Sequence, residues 1–189
     1  MRIVGGEMRG RNLIAPTGPE VRPTSDRLRE AIFNVLAHAY DDACDGARVL
    51  DLFAGTGALG IEALSRGATF TLFVDDSTEG RALVRGNVDA LGLGGVSKIF
   101  RRDATRLGAM PPQEPYGLAF LDPPYGKRLA EPCLMSLRDG GWLAQGALCV
   151  VEESAEAAVE APEGFDELER RVYGGTQVVF LRAGDQPPL

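Results

Sequence analysis

The chain has 189 residues, 44% of them hydrophobic, and a formal net charge of −7 with a pI near 4.8. That length suits one domain with a substantial buried core, and no apolar run approaches the roughly 18 residues of a bilayer-spanning helix. The start lacks a secretory pattern, and Cys44, Cys133 and Cys149 show neither pairing nor metal-ligand spacing, so they read as reduced core thiols of a cytoplasmic protein.

Residues 2–14 read as a small hairpin, Arg2–Gly5 with Arg11–Ile14, turned by Glu7-Met8-Arg9-Gly10. Pro16 to Pro23 reads as a loop. Thr24 or Ser25 can cap a helix running to about Ala39, with Leu28, Ile32, Val35 and Leu36 on one face. His38, the one histidine, lies late in that helix and suits its end better than catalysis. Strands and helices then alternate over residues 47–139, which argues for a parallel sheet. Trp142, after Gly140-Gly141, reads as packing near a turn. Leu148–Glu152 makes a fifth strand, and Leu168–Tyr173 with Gln177–Arg182 reads as a terminal hairpin about Gly174-Gly175. The expected organisation is an N-terminal extension, 1–45, a Rossmann-like α/β domain, 46–183, and a mobile tail, 184–189.

The segment Val49-Leu50-Asp51-Leu52-Phe53-Ala54-Gly55-Thr56-Gly57-Ala58-Leu59-Gly60 reads as a buried strand, a glycine-rich turn and a helix start. Gly55-x-Gly57-x-x-Gly60 matches the dinucleotide fingerprint, and Asp75 lies at a suitable distance to bind a ribose. Asp51, however, places an acid where a pyrophosphate would sit, and no second dinucleotide-binding half follows. S-adenosylmethionine carries a sulfonium and an amino group and no phosphate, so acids around the loop suit it. Cofactor contacts are therefore expected at Asp51, Phe53, Ala54, Gly55 and Gly57.

Acids recur at the ends of successive strands. Asp75 follows Phe70–Val74, Asp103 follows Val96–Phe100, and Asp122 follows Leu118–Leu121. Ligands of open α/β sheets bind at the carboxyl ends of the strands, so these acids should share one crevice. Asp75 is assigned to the ribose hydroxyls, Asp103 with Ala104 to the adenine edge, and Asp122 to a reacting amine. Each acid alone is equally compatible with a helix cap or a solvated loop.

Asp122-Pro123-Pro124-Tyr125 makes a stiff turn with two fewer N–H donors and outward carbonyls. The Asp122 carboxylate and Pro123 carbonyl can accept both N–H bonds of a planar NH2 group. That localises the nitrogen lone pair, while the Tyr125 ring stacks on the base. Taken alone, the tetrapeptide is also an ordinary capped turn.

With these segments in place, the chain resembles the RsmD-type 16S rRNA (guanine-N2)-methyltransferases. The resemblance rests on Arg2-Ile3-Val4-Gly5-Gly6 with Arg9-Gly10-Arg11, on Arg22-Pro23-Thr24-Ser25-Asp26-Arg27-Leu28-Arg29-Glu30-Ala31-Ile32-Phe33-Asn34, on the glycine loop and on the tetrapeptide. It implies a class I S-adenosylmethionine-dependent methyltransferase fold, α/β with a mostly parallel seven-stranded sheet, a terminal antiparallel hairpin and an N-terminal hairpin and helix. It also implies ribosomal RNA as the partner, within an assembling or assembled small subunit; a monomer and direct SN2 transfer of the methyl group are expected. Substrate contacts are assigned to Arg9, Arg11, Arg22, Thr24 and Lys127, and catalysis to Asp122, Pro123 and Tyr125. Ser77 departs from the family pattern, standing where relatives usually carry an acid. Alternatives within reach of the same motifs are adenine-N6 methylation of DNA, glutamine methylation of protein, and a non-catalytic RNA-binding assembly factor.

An acidic chain is unfavourable for RNA, because phosphate neutralisation dominates such affinity. Distribution offsets this in part. Residues 1–30 hold six arginines against four acids, whereas 151–169 hold eight acids and no basic residue. The acidic segment is expected to face solvent, away from nucleic acid.

Overall fold

The backbone alternation resolves into one seven-stranded sheet in a computed structural model that describes residues 1–19, 21 and 23–185. The strands are β1 (Arg48–Leu52), β2 (Phe70–Val74), β3 (Ser97–Phe100), β4 (Tyr116–Leu121), β5 (Leu143–Ser154), β6 (Phe165–Tyr173) and β7 (Thr176–Ala183). Their order is β3-β2-β1-β4-β5-β7-β6. The first five pair in parallel, and β7 runs antiparallel to both β5 and β6. Four helices accompany them: α1 (Asp26–Ala39), α2 (Ala58–Ser65), α3 (Thr78–Leu91) and α4 (Ala130–Asp139). None among the described residues is long and apolar enough to cross a membrane.

The pleat sends alternate side chains to opposite faces, and both faces are covered, as parallel sheets require. From β4, Leu118 and Phe120 join Ile32, Phe33 and Leu36 of α1 on one face, where the Phe33 and Phe120 ring centroids lie 5.4 Å apart. Ala119 and Leu121 join Cys133, Leu134 and Leu137 of α4 on the other. All three cysteines are buried and unpaired, and burial pushes the Cys44 and Cys149 thiols up to about 12. Trp142 is buried and donates Nε1–H to the Gly108 carbonyl at 2.8 Å.

Helix α1 begins as its sequence requires: Ser25 is the N-cap and accepts from the Leu28 amide. Several expected bounds shift. Val96 belongs to a short 3₁₀ turn before β3, and β5 extends well beyond Leu148–Glu152 on both sides. The tail expected to move lies outside the described residues from 186 onward, while Gly184 donates to the Gly164 carbonyl at 2.8 Å.

The N-terminal hairpin differs most. One antiparallel bridge, Arg2 with Asn12, stands in place of two regular strands, and backbone bonds still cross the hairpin from Ile3 to Arg11, Gly10 to Ile3 and Leu13 to Met1, at 2.9, 2.8 and 2.9 Å. Its outer edge is held by a helix. The Val4 and Gly5 amides donate to Glu62 Oε2 and Oε1, at 3.0 and 2.8 Å. Glu62 and Arg29 are both fully buried, and their charged groups approach to 3.6 Å. Beside them, Ser65 Oγ donates to the Gly5 carbonyl at 2.6 Å, and the Ser65 carbonyl accepts from Glu7 at 2.8 Å. Gly6, at φ +75°, passes so close that a Cβ there would lie 1.9 Å from the Ser65 carbonyl oxygen. The hairpin is thus clamped to α2 along its first strand and into its turn, and Arg9 and Arg11 stay exposed beside the clamp.

Candidate active site

Strand order reverses between β1 and β4, where crossovers depart to opposite sides and leave a crevice at the strands' carboxyl ends. A cavity of about 370 Å³ lies there. Its walls come from the glycine loop, the ends of β2, β4 and β5, and the segment holding Pro19, Val21, Pro23 and Thr24.

Three positive φ angles shape the loop: Phe53 at 58°, Gly55 at 55° and Gly57 at 78°. A bulky residue in that region is strained, and such strain collects at ligand sites. Gly60 has a different task. A Cβ on it would meet Phe73 at 2.5 Å and Thr71 at 2.7 Å, so this glycine brings α2 onto the sheet. Its amide donates to Asp51 Oδ2 at 2.9 Å. The start of α2, which has no side-chain cap of its own at Gly57, is thereby served from β1.

Asp51 is 1% exposed, and burial pushes its carboxyl up to about 8 against the opposing effect of the Gly60 hydrogen bond. It is therefore mostly protonated at pH 7 in the free protein, not the fixed charge expected from its position. The folded value lies above the ordinary aspartate value of about 3.9, so the folded state binds more protons between the two. Stability from this residue is present in acid and lost as pH rises from about 4 through about 8. Asp51→Asn keeps the acceptor for Gly60 and removes the titration. Urea unfolding across pH 5–8.5 should show a stability decline in the parent that is flatter in the variant. Parallel curves would contradict this.

Asp75 lines the cavity from the end of β2. Its Oδ2 accepts from the Gly55 amide at 2.8 Å, and its Oδ1 from the Ser77 amide at 2.8 Å and hydroxyl at 2.7 Å. Ser77, the position that departs from the family pattern, is also the N-cap of α3 and lines the cavity. Asp103 is not among the residues lining the cavity. Its Oδ1 accepts from the Thr105 hydroxyl at 2.7 Å and amide at 2.9 Å, which hold it below the usual carboxylate range. Ala104 and Arg102 line the cavity; the Asp103 side chain caps a local 3₁₀ turn outside it.

At the other side of the reversal, the Asp122 amide donates to the Leu52 carbonyl at 3.4 Å, tying the tetrapeptide to β1. Thr24 Oγ1 lies 3.1 Å from Asp122 Oδ2 and 2.9 Å from Glu152 Oε2, and its one proton serves both carboxylates. The Tyr125 hydroxyl donates to Glu152 Oε1 at 2.7 Å and lies 3.0 Å from Thr176 Oγ1. Burial holds this phenol above its ordinary value. One network, Asp122–Thr24–Glu152–Tyr125–Thr176, thus fixes the tetrapeptide.

Glu152 carries no role in the sequence reading, which placed it in a solvated acidic segment. The structure overturns that for Glu152 and Glu153, which are 5% and 2% exposed. Glu153 Oε1 accepts from the Gly126 amide at 3.1 Å and so holds the turn after the tetrapeptide. The available signal was two acids ending the apolar run Leu148–Val151, the same strand-end position that Asp122 holds. Among the assigned substrate residues, Thr24 lies in the cavity wall. Arg9, Arg11 and Lys127 are exposed and outside it, and Arg22 falls outside the described residues.

A family model described as Conserved hypothetical protein 95 matches residues 1–182. Ribosomal RNA small subunit methyltransferase D of Escherichia coli strain K12 is 41% identical, the match covering 95% of this chain and 87% of that protein. YlbH of Bacillus subtilis strain 168, provisionally named an rRNA methyltransferase, is 36% identical over 96% of this chain and 98% of its own. The solved structure of yhhF from Escherichia coli, provisionally named a methyltransferase, superposes with a TM-score of 0.82 at 32% identity, covering 97% of this chain and 98% of that one. The sheet is thus the Rossmann-like sheet of class I methyltransferases.

Proposed function

Because the chain belongs to the RsmD-type rRNA methyltransferase family, the Conserved hypothetical protein 95 family, we propose that it uses S-adenosylmethionine to methylate a guanine N2 in small-subunit (16S) ribosomal RNA. The observation that carries this reading is the meeting, in one crevice, of an acid-lined glycine loop and a locked Asp-Pro-Pro-Tyr turn.

The chemistry of the walls fits the cofactor. Among the described lining residues, five carry carboxyl groups (Asp51, Asp75, Asp76, Asp122 and Glu152) and one, Arg102, a guanidinium. That balance suits a ligand with sulfonium and ammonium groups and opposes a pyrophosphate. Asp75, already oriented by Gly55 and Ser77, would accept the ribose hydroxyls. Phe53, Ala54 and Gly55, which line the cavity, would bring the backbone against the ligand; Gly57, expected to do the same, is not among the lining residues and packs toward Phe73, Ile61 and Val84. Bound S-adenosylmethionine supplies an electrophilic methyl group.

The protein's part is positioning. The target base is splayed from its stack, as is usual for RNA bases recognised in loops, and Tyr125 stacks on it. Asp122 and the Pro123 carbonyl accept the two amine hydrogens, aligning the lone pair for direct SN2 transfer with no covalent enzyme intermediate. Asp122 stabilises the positive charge that grows on nitrogen. Arg9 and Arg11, exposed at the clamped hairpin's tip, would meet phosphates and offset the net acidity.

The test is calorimetric binding followed by labelled-methyl transfer. S-adenosylmethionine should bind and NAD should not, and Asp75→Ala should weaken binding by about 1–3 kcal/mol through loss of charge-assisted hydrogen bonds. Label should pass to small-subunit rRNA, free or assembled, and not to duplex DNA or protein. NAD binding, or label on DNA alone, would overturn the reading.

A further inference from the structure

We propose that Glu152 is the residue that selects guanine, by accepting the N1–H beside the amine that Asp122 holds. This rests on the reading of guanine N2 as the methyl acceptor. The Asp-Pro-Pro-Tyr turn recognises an exocyclic amine and nothing else about the ring. Adenine, cytosine and guanine all carry one. They differ in the ring nitrogen next to it: adenine N1 and cytosine N3 are acceptors, whereas guanine N1 carries a hydrogen.

The structure places a second carboxylate where that difference is felt. Glu152 and Asp122 face the same cavity, with the single Thr24 hydroxyl within hydrogen-bond distance of both. Tyr125, on which the base would stack, is tied to Glu152 through its hydroxyl. Glu152 is therefore held in register with both the amine acceptor and the stacking ring. Thr24 and Tyr125 engage one oxygen each, and a carboxylate oxygen accepts more than one hydrogen. Two adjacent acceptor groups match the adjacent N1–H and N2–H donors of guanine. Against adenine or cytosine, Glu152 would face a ring lone pair in place of a hydrogen, so the same residue attracts one base and repels the others.

The measurement uses small-subunit rRNA carrying either guanine or 2-aminopurine at the methylated position, once that position has been mapped. 2-Aminopurine keeps the C2 amine but has an unprotonated N1. The wild-type protein should methylate the guanine RNA about 100-fold faster or more, because the analogue lacks the N–H that the site is built to bond. Glu152→Gln, nearly isosteric, presents an amide that can donate to that N1, and should shrink the preference by about 10-fold or more. A role confined to positioning Tyr125 and Asp122 would slow both substrates alike and leave the ratio unchanged, which would overturn the proposal. Equal wild-type rates on the two RNAs would overturn it without recourse to any variant. Failure of the underlying reading would look different: no N2-methylguanosine from the wild-type protein on guanine RNA.

Discussion

Asp122→Ala is expected to cut methyl transfer about 100-fold or more while leaving S-adenosylmethionine affinity within about twofold, as when a partner of the transition state is lost. Asp122 follows β4, and the proposed cofactor contacts, on the glycine loop and Asp75, lie across the strand reversal from it. Binding and chemistry should therefore separate in single-turnover kinetics with calorimetry beside them. Tyr125 refines the point. If stacking needed only the ring, Tyr125→Phe would be mild. Here the hydroxyl bonds Glu152 and Thr176, so its removal leaves a buried carboxylate short of a donor. A loss near 10-fold is expected, from about 1–2 kcal/mol of orientation. A variant as fast as the parent would mean the network does not orient the ring.

Glu62→Ala should lower unfolding free energy by about 3–5 kcal/mol, the usual cost of stranding one member of a buried ion pair. Glu62 is fully buried and accepts from the Val4 and Gly5 amides and from Arg66 Nε at 2.9 Å, facing the buried Arg29. Its loss leaves the buried Arg29 with Asp26 as its remaining ion-pair partner and frees the hairpin's first strand at Val4 and Gly5. Urea unfolding gives the stability, and amide exchange at Val4 and Gly5 gives the release. A change under about 1 kcal/mol with both amides still protected would show that the clamp lies elsewhere.

What the sequence made legible was local and periodic. The strand–glycine–helix run and the Asp-Pro-Pro-Tyr turn each carry their geometry in consecutive residues, and both stand where strand order and period placed them. The Glu62 clamp was hidden because a glutamate inside a helix reads as solvated, and only the docking of a distant hairpin buries it. Glu152 was hidden by a charge run that reads as surface, although its first two acids belong to the end of a buried strand. Asp103 shows the opposite difficulty. It stands in series with Asp75 and Asp122, yet Thr105, two residues on, offers it a nearer donor. Asp51 was legible as a residue of the site but not in its charge, because burial decides protonation and sequence shows no burial. The hairpin's two segments do bond across to each other, but the sequence could not show that a side chain from α2 holds the outer edge at Val4 and Gly5.

The most direct measurement of the central claim is nucleoside mass analysis of undermodified small-subunit rRNA after incubation with the protein and labelled S-adenosylmethionine. Label is expected in N2-methylguanosine at one position, and is expected to disappear with Asp122→Ala. Label in N6-methyladenosine, or in a guanine methylated at any other atom, would contradict that claim.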